Sequence, residues 1–180
     1  MLNEAPVLLT GRLRLRPHVR ADYPLCRALW QHPHTIRFIG GTAQDDQAVW
    51  FRLLRYGGMW AMQGYGFWVF EDRQTGAYLG EGGLMDAMRG LSGLAGMPEA
   101  GWALMPEAGG KGLATEGLRA ILDWADAHLP DERIGCIIDP GNAPSLRLAG
   151  KLGFAEVERP DFHGKPTVLL HRARAELTGP

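Results

Sequence analysis

Residues 109–114 of this chain read Gly-Gly-Lys-Gly-Leu-Ala. Gly109, Gly110 and Gly112 let successive backbone N–H groups converge without Cβ obstruction. A run with helical apolar spacing follows at once, and the first turn of a helix carries unpaired N–H groups and a positive partial charge. A phosphate or diphosphate placed there satisfies both, and Lys111 adds a point charge unless its side chain is simply solvated. Further on, Asn142 reads as a helix cap, with the Ser145 hydroxyl three residues beyond it. Glu99 and Glu81 stand in otherwise apolar stretches and are the candidate general bases, with Asp86 reading as a turn residue. Glu81 lies among Gly80, Gly82 and Gly83. Burial there would raise its pKa, whereas an edge position would leave it a solvated charge.

Three phosphate-binding patterns compete for the loop. The nucleoside-triphosphate pattern needs a hydroxyl after its lysine, and Lys111 is followed by Gly112. The dinucleotide pattern accepts Gly110 and Gly112 but finds Thr115 at its third glycine. The third reading is coenzyme A, whose diphosphate suits such a turn. Metal chemistry has little support: His32 and His34 flank Pro33 with no other ligand types nearby, so no metal is expected.

The elements that must position these groups follow from periodicity. Residues 12–16, Arg-Leu-Arg-Leu-Arg, alternate as a half-buried strand. Asp22 and Pro24 open a helix carrying Leu25, Cys26, Leu29 and Trp30, and residues 33–43 read as a connection. A second helix starts at Gln44, Asp45 and Asp46 and is weakened or ended at Gly57-Gly58. Strands are expected over 65–71, 77–85 and 99–105, with a long mobile loop at 86–98. Leu118, Ile121, Leu122, Ala125 and Leu129 mark a helix over 112–129, and 133–138 a buried strand parallel to 99–105. A short helix at 142–152 and strands near 154–159 and 166–172 complete the chain, with 174–180 fraying. His163 and Gly164 belong to a hairpin loop, and Trp30, Phe38, Trp50 and Trp60 are core or pocket wall. Trp102 reads as core rather than as a cofactor contact.

Composition bounds the rest. With 180 residues, 46% apolar and 22% charged, the chain is one globular domain, residues 1–180. A net charge of −1 provides no global field toward nucleic acid or anionic membrane. No apolar run is long enough for a membrane span, and no secretory signal opens the chain. Cys26 and Cys136 read as separate reduced thiols, which fits a cytoplasmic protein.

Beyond these readings, the sequence Asp139-Pro-Gly-Asn142-Ala-Pro-Ser145, running on to Lys151-Leu-Gly153-Phe154, resembles the GNAT superfamily of acyl-CoA-dependent N-acyltransferases. That family opens its main helix with a Gln/Arg-x-x-Gly-x-Gly/Ala loop and later carries Asn-x-x-Ser before Lys-Leu-Gly-Phe. The opening Arg-Leu-Arg-Leu-Arg-Pro is similar to the subgroup of ribosomal-protein alanine N-acetyltransferases. The resemblance implies an α/β GNAT fold, a mixed but mostly antiparallel sheet of about seven strands between helical layers. It implies acetyl-CoA as co-substrate and direct acetyl transfer to a primary amine, either a protein N-terminal α-amine or a small molecule, with a homodimer common among such proteins.

The resemblance also assigns roles. Gly109, Gly110, Lys111, Gly112, Leu113 and Ala114 would hold the diphosphate, and Asn142 would lie beside the pantetheine arm. Backbone groups of Ala103, Leu104 and Met105 would pair with that arm, one N–H, that of Leu104, facing the thioester oxygen. Ser145 would be the proton donor, and Glu99 the carboxylate several members carry at this place. Two departures favour a rival, a non-catalytic CoA-binding regulatory module: Gly109 replaces the usual Gln or Arg, and the family tyrosine late in the site is missing. An α-amine, at pKa ~7.7–8.0 against ~10.4 for lysine, needs roughly 3–4 kcal/mol less to deprotonate, so a weak base suffices.

Overall fold

The computed structural model describes residues 3–175. The chain runs β1 (Leu8–Leu9), β2 (Leu13–Arg16), α1 (Tyr23–Gln31), α2 (Pro33–Ile36), α3 (Asp46–Gln63), β3 (Phe67–Asp72), β4 (Tyr78–Met85) and β5 (Glu99–Leu104). It continues through α4 (Leu113–His128), β6 (Arg133–Ile138), α5 (Ala143–Lys151), β7 (Ala155–Glu158), a small hairpin β8 (Asp161–Phe162) and β9 (Lys165–Pro166), and β10 (Val168–Ala173). The main sheet has eight strands in the order β1-β2-β3-β4-β5-β6-β10-β7. The two-residue edge strand β1 accounts for the excess over seven.

Alternation along the strands separates two cores. Leu13, Leu15, Trp68, Phe70, Leu84 and Ala100 face α4 and α5, where Trp60, Trp68 and Trp124 meet edge to face. Phe67 and Ala103 face α1 and α3 with Cys26, Leu29, Trp30, Val49, Leu53 and Tyr56. The start of α1 is tied to the sheet by Arg16, whose guanidinium reaches both Asp22 oxygens at 2.8 Å and also Glu71. α4 lies close on the sheet because Gly117 lacks a side chain. A Cβ there would sit 2.7 Å from the fully buried Phe70 ring. Gly117→Val is therefore expected to lose about 3 kcal/mol in urea unfolding, the upper end for overpacking.

Three expectations need correction. α3 does not end at Gly57-Gly58; it runs to Gln63 and stops at Gly64, whose φ of 76° ends the helix. Met59 and Trp60, buried beyond the glycines, outweigh their poor propensity. Residues 33–43 include the short helix α2. Loop 86–98 is pinned rather than loose: Leu94 is buried, and a Cβ on Gly135 would lie 2.3 Å from it. His171 also meets the Gly93 carbonyl at 2.6 Å. Of the segment expected to fray, residues 176–180 lie outside the described residues.

Candidate active site

β5 and β6 are the parallel neighbours, and they pair at one register position, Glu99↔Gly135. Beyond it they part, opening a cleft of about 360 Å³ between β5, the start of α4 and α5, with α2 as its outer wall. The separation leaves donors without a ladder partner. Met105 N–H reaches back to the Leu79 carbonyl, so by strand alternation the N–H groups of Leu104 and Trp102 point toward the cleft.

The cleft gathers most of the residues singled out in the sequence. Ala103, Leu104, Met105, Gly109, Gly110, Gly112, Leu113, Ala114, Asn142 and Ser145 all line it, joined by Arg147 and Lys151. Lys111 does not line it; its carbonyl accepts from Arg12 Nη1 at 2.8 Å. Gly110 and Gly112 have φ of 72° and 75°, the left-handed region that favours glycine, whereas Gly109 has an ordinary φ of −66°. The first backbone bond closing onto α4 runs from Glu116 N–H to Gly112. No backbone acceptor among the described residues takes the N–H groups of Gly110, Lys111 or Gly112. This is a concave cradle of main-chain donors that a diphosphate fits.

Opposite the cradle, the Asn142 side chain caps α5 by accepting from Ser145 N–H at 3.2 Å. Ser145 Oγ accepts from Trp102 Nε1 at 3.3 Å, which leaves the hydroxyl proton free to donate. Trp102, expected in the core, is half-buried and forms cleft wall as well as packing on the core.

The two carboxylates lie apart from this lining. They share the sheet face toward α1 and α3, but Glu81 opposes Ala103 and Glu99 opposes Met85. Four residues of ladder put them roughly 13 Å apart, too far to act as a pair. Glu99 is buried outside the cleft lining, at the position where β5 still pairs with β6, with Arg89 Nε donating at 2.6 Å.

Glu81 is fully buried and saturated with donors: Trp30 Nε1 at 2.8 Å, Tyr78 Oη at 3.0 Å, His18 Nε2 at 3.3 Å, and Tyr56 Oη. Burial pushes its pKa up, but bonds from His18 and Tyr56 and the Arg52 charge outweigh it, and Glu81 ends below the ordinary carboxylate value. The expected rise is reversed. Cys26 beside it is pushed up to about 12, first by burial and then by the Glu81 charge, so it stays a neutral thiol. His18, Cys26 and Glu81 offer atoms within 4.8 Å of one another, a grouping the sequence did not suggest.

Sequence reasoning also missed Glu116, which accepts from Thr10 and from the Arg12 backbone and side chain at 2.6–2.7 Å. That clamp fixes the start of α4, and an acid in a helix's first turn opposite an Arg-rich strand was its available signal. Arg89, the donor to Glu99, carried no signal beyond its position in a loop.

Residues 12–155 match the model of the GNAT acetyltransferase domain. The chain belongs to the GNAT acetyltransferase family. It is an acetyl-CoA-dependent N-acetyltransferase. This GNAT chain is 30% identical over 178 residues to the Bacillus subtilis protein YkkB, which carries no characterised activity, covering 95% of this chain and 98% of that one. A protein of Bordetella pertussis assigned to the GnaT family shares 34% identity with a TM-score of 0.83, over 94% of this chain and 100% of that one. The ribosomal-protein-S5-alanine acetyltransferase of Vibrio fischeri, at 14% identity and a TM-score of 0.77, covers 97% of this chain and 100% of its own; that likeness is one of fold. Among the described residues of the GNAT chain, no helix is long and apolar enough to cross a membrane.

Proposed function

We propose that this acetyltransferase acts on a primary amine, the α-amine of a peptide or a small molecule, in the cleft between β5 and β6. One observation carries the reading. Unpaired main-chain donors of the 110–115 turn, the Leu104 N–H and the Ser145 hydroxyl converge on a single cleft. Bound acetyl-CoA supplies a thioester whose acyl carbon the amine nitrogen attacks as the carbon–sulfur bond breaks.

The chain's own groups then divide the work. The amides of Gly110, Lys111, Gly112, Leu113 and Ala114 hold the diphosphate, with the Lys111 side chain adding no required contact. Trp102 and Leu104 turn their backbone N–H groups to the pantetheine arm, which passes beside Ala103 and Met105, and Leu104 N–H stabilises charge growing on the acyl oxygen. Asn142 keeps α5 in register beside the arm. The ammonium must lose its proton before its lone pair attacks; Glu99, about 16 Å from Leu104 along β5, takes that proton through a relay of waters, at the Oε1 that Arg89 leaves open. Ser145 donates a hydrogen bond to the departing sulfur; a thiol with pKa near ~8.5 needs no stronger acid. Glu81, with a depressed pKa and every oxygen engaged, is a structural anion rather than the base.

Thiol release from acetyl-CoA with an amine in excess tests this. Ser145→Ala is expected to lower kcat about 10- to 100-fold, below the usual ceiling for proton transfer, with CoA affinity unchanged. Equal rates for the two proteins remove Ser145 from the chemistry.

A further inference from the structure

A serine hydroxyl turns freely about its Cβ–Oγ bond unless a neighbour holds it, and a donor that wanders is a poor one. The backbone of Ser145 is well fixed. It is the third residue of α5, and its N–H donates to the Asn142 cap at 3.2 Å. Its side chain is held from another element. Trp102 Nε1, on β5, donates to Ser145 Oγ at 3.3 Å, so the bond runs from one wall of the cleft to another. Among the described residues it is the only hydrogen bond that Oγ makes.

A serine near a helix start often turns its hydroxyl back onto a carbonyl of the preceding turn instead. Here the nearest such carbonyl, that of Asn142, takes the Leu146 N–H at 3.0 Å, and the Ser145 hydroxyl makes no bond of that kind. The indole supplies the fixed end. Trp102 is half-buried and packed against the core that α4 and α5 cover, so packing sets the direction of its N–H. That N–H donates and never accepts, so the two groups cannot exchange roles. The hydroxyl proton is therefore turned away from the indole. The bond that Oγ receives also polarises its O–H, which strengthens the bond the hydroxyl gives.

Resting on the reading of Ser145 as the group that meets the departing sulfur, we infer that Trp102 is a positioning residue for that step. As the carbon–sulfur bond breaks, its electron pair goes to sulfur and the Ser145 O–H donates to that sulfur. The Trp102 side-chain N–H orients the hydroxyl and stabilises the negative charge its oxygen gains as the proton shifts toward sulfur. No atom of the indole is transferred. The backbone N–H of Trp102 faces the pantetheine arm separately, so the side chain can be changed with that contact kept.

Trp102→Phe removes the N–H and keeps an aromatic ring on the core. Replacing Trp102 by 3-benzothienylalanine, which has sulfur in place of the N–H, keeps the bicyclic shape should the smaller ring loosen the wall. Hydroxylamine in excess serves as acceptor. It is a small amine uncharged at neutral pH, so thiol release from acetyl-CoA, corrected for the uncatalysed rate, reports the leaving-group side without the base. Each replacement is made in the wild type and in Ser145→Ala. In the wild type kcat is expected to fall about tenfold, with KM for acetyl-CoA and calorimetric CoA affinity within about twofold. In the Ser145→Ala background the same replacement is expected to change kcat by less than about twofold, because the group it positions is gone.

An equal fall in both backgrounds makes Trp102 a wall residue only and overturns the inference, as does a fall that follows lost CoA affinity. The readings remain distinguishable. Ser145→Ala at the wild-type rate sinks the assignment of Ser145, and the positioning role with it. A slow Ser145→Ala beside Trp102 variants at full rate sinks the positioning role alone. Thiol release no faster than the uncatalysed reaction in the wild type contradicts catalysis in this cleft and removes both.

Discussion

Glu81→Ala is expected to destabilise the fold by about 3–5 kcal/mol, measured by urea unfolding at pH 7, because it strands several buried donors at once. Trp30 Nε1, Tyr56 Oη, Tyr78 Oη and His18 Nε2 all lose the fully buried acceptor they share. These donors come from the β2–α1 connection, α1, α3 and β4, so the carboxylate joins the helical layer to the sheet. Glu81→Gln keeps the shape but turns an amide N–H₂ toward donors, and a smaller loss of about 2 kcal/mol is expected.

The pH dependence has a definite sign. The folded pKa of Glu81 lies below its ordinary value of 4.5. The stability it contributes is present in full above that value and is withdrawn as pH falls through the folded pKa. The difference between wild type and Glu81→Gln should therefore shrink as unfolding is repeated from pH 7 down to pH 3. A difference that grows toward acid would mean the pKa is raised and the carboxylate is poised as a base. Folded Glu81→Gln should also keep its pH–rate profile, which a catalytic role would shift.

Gly112→Val carries the second large effect. With φ at 75°, residue 112 occupies a region a β-branched side chain avoids, at a cost of roughly 1–3 kcal/mol. The open space around it, with only Arg12 Nη2 within 4 Å of a Cβ, means the core does not suffer. The strain is relieved by moving the turn, and the convergent N–H groups then diverge. CoA affinity is expected to fall at least 100-fold while the thermal midpoint drops only a few degrees. Unchanged CoA affinity in Gly112→Val would show that the turn's left-handed geometry is not what holds the diphosphate.

The sequence made most of the scaffold legible because local signals agreed with tertiary need. The alternation at 12–16, the 118–129 periodicity and the glycine turn each specified an element and its buried face. The family resemblance then collected Leu104, Asn142 and Ser145 around one cleft. Long-range partners were not legible. Glu81 reads as an isolated acid among glycines, and only the fold brings Trp30, Tyr56, Tyr78 and His18 to it and reverses the direction of its pKa. The continuation of α3 past Gly57-Gly58 depends on Met59 and Trp60 finding the core. The anchoring of loop 86–98 depends on Leu94 filling the space beside Gly135.

Calorimetric titration of the wild-type protein with CoA, with pantetheine lacking the diphosphate, and with ATP and NAD tests the central claim most directly. CoA should bind at least 100-fold more tightly than pantetheine, and ahead of both nucleotides, with Gly112→Val removing most of that advantage. Pantetheine binding as tightly as CoA would contradict the account, for the main-chain donors at 110–115 would then have no diphosphate to hold.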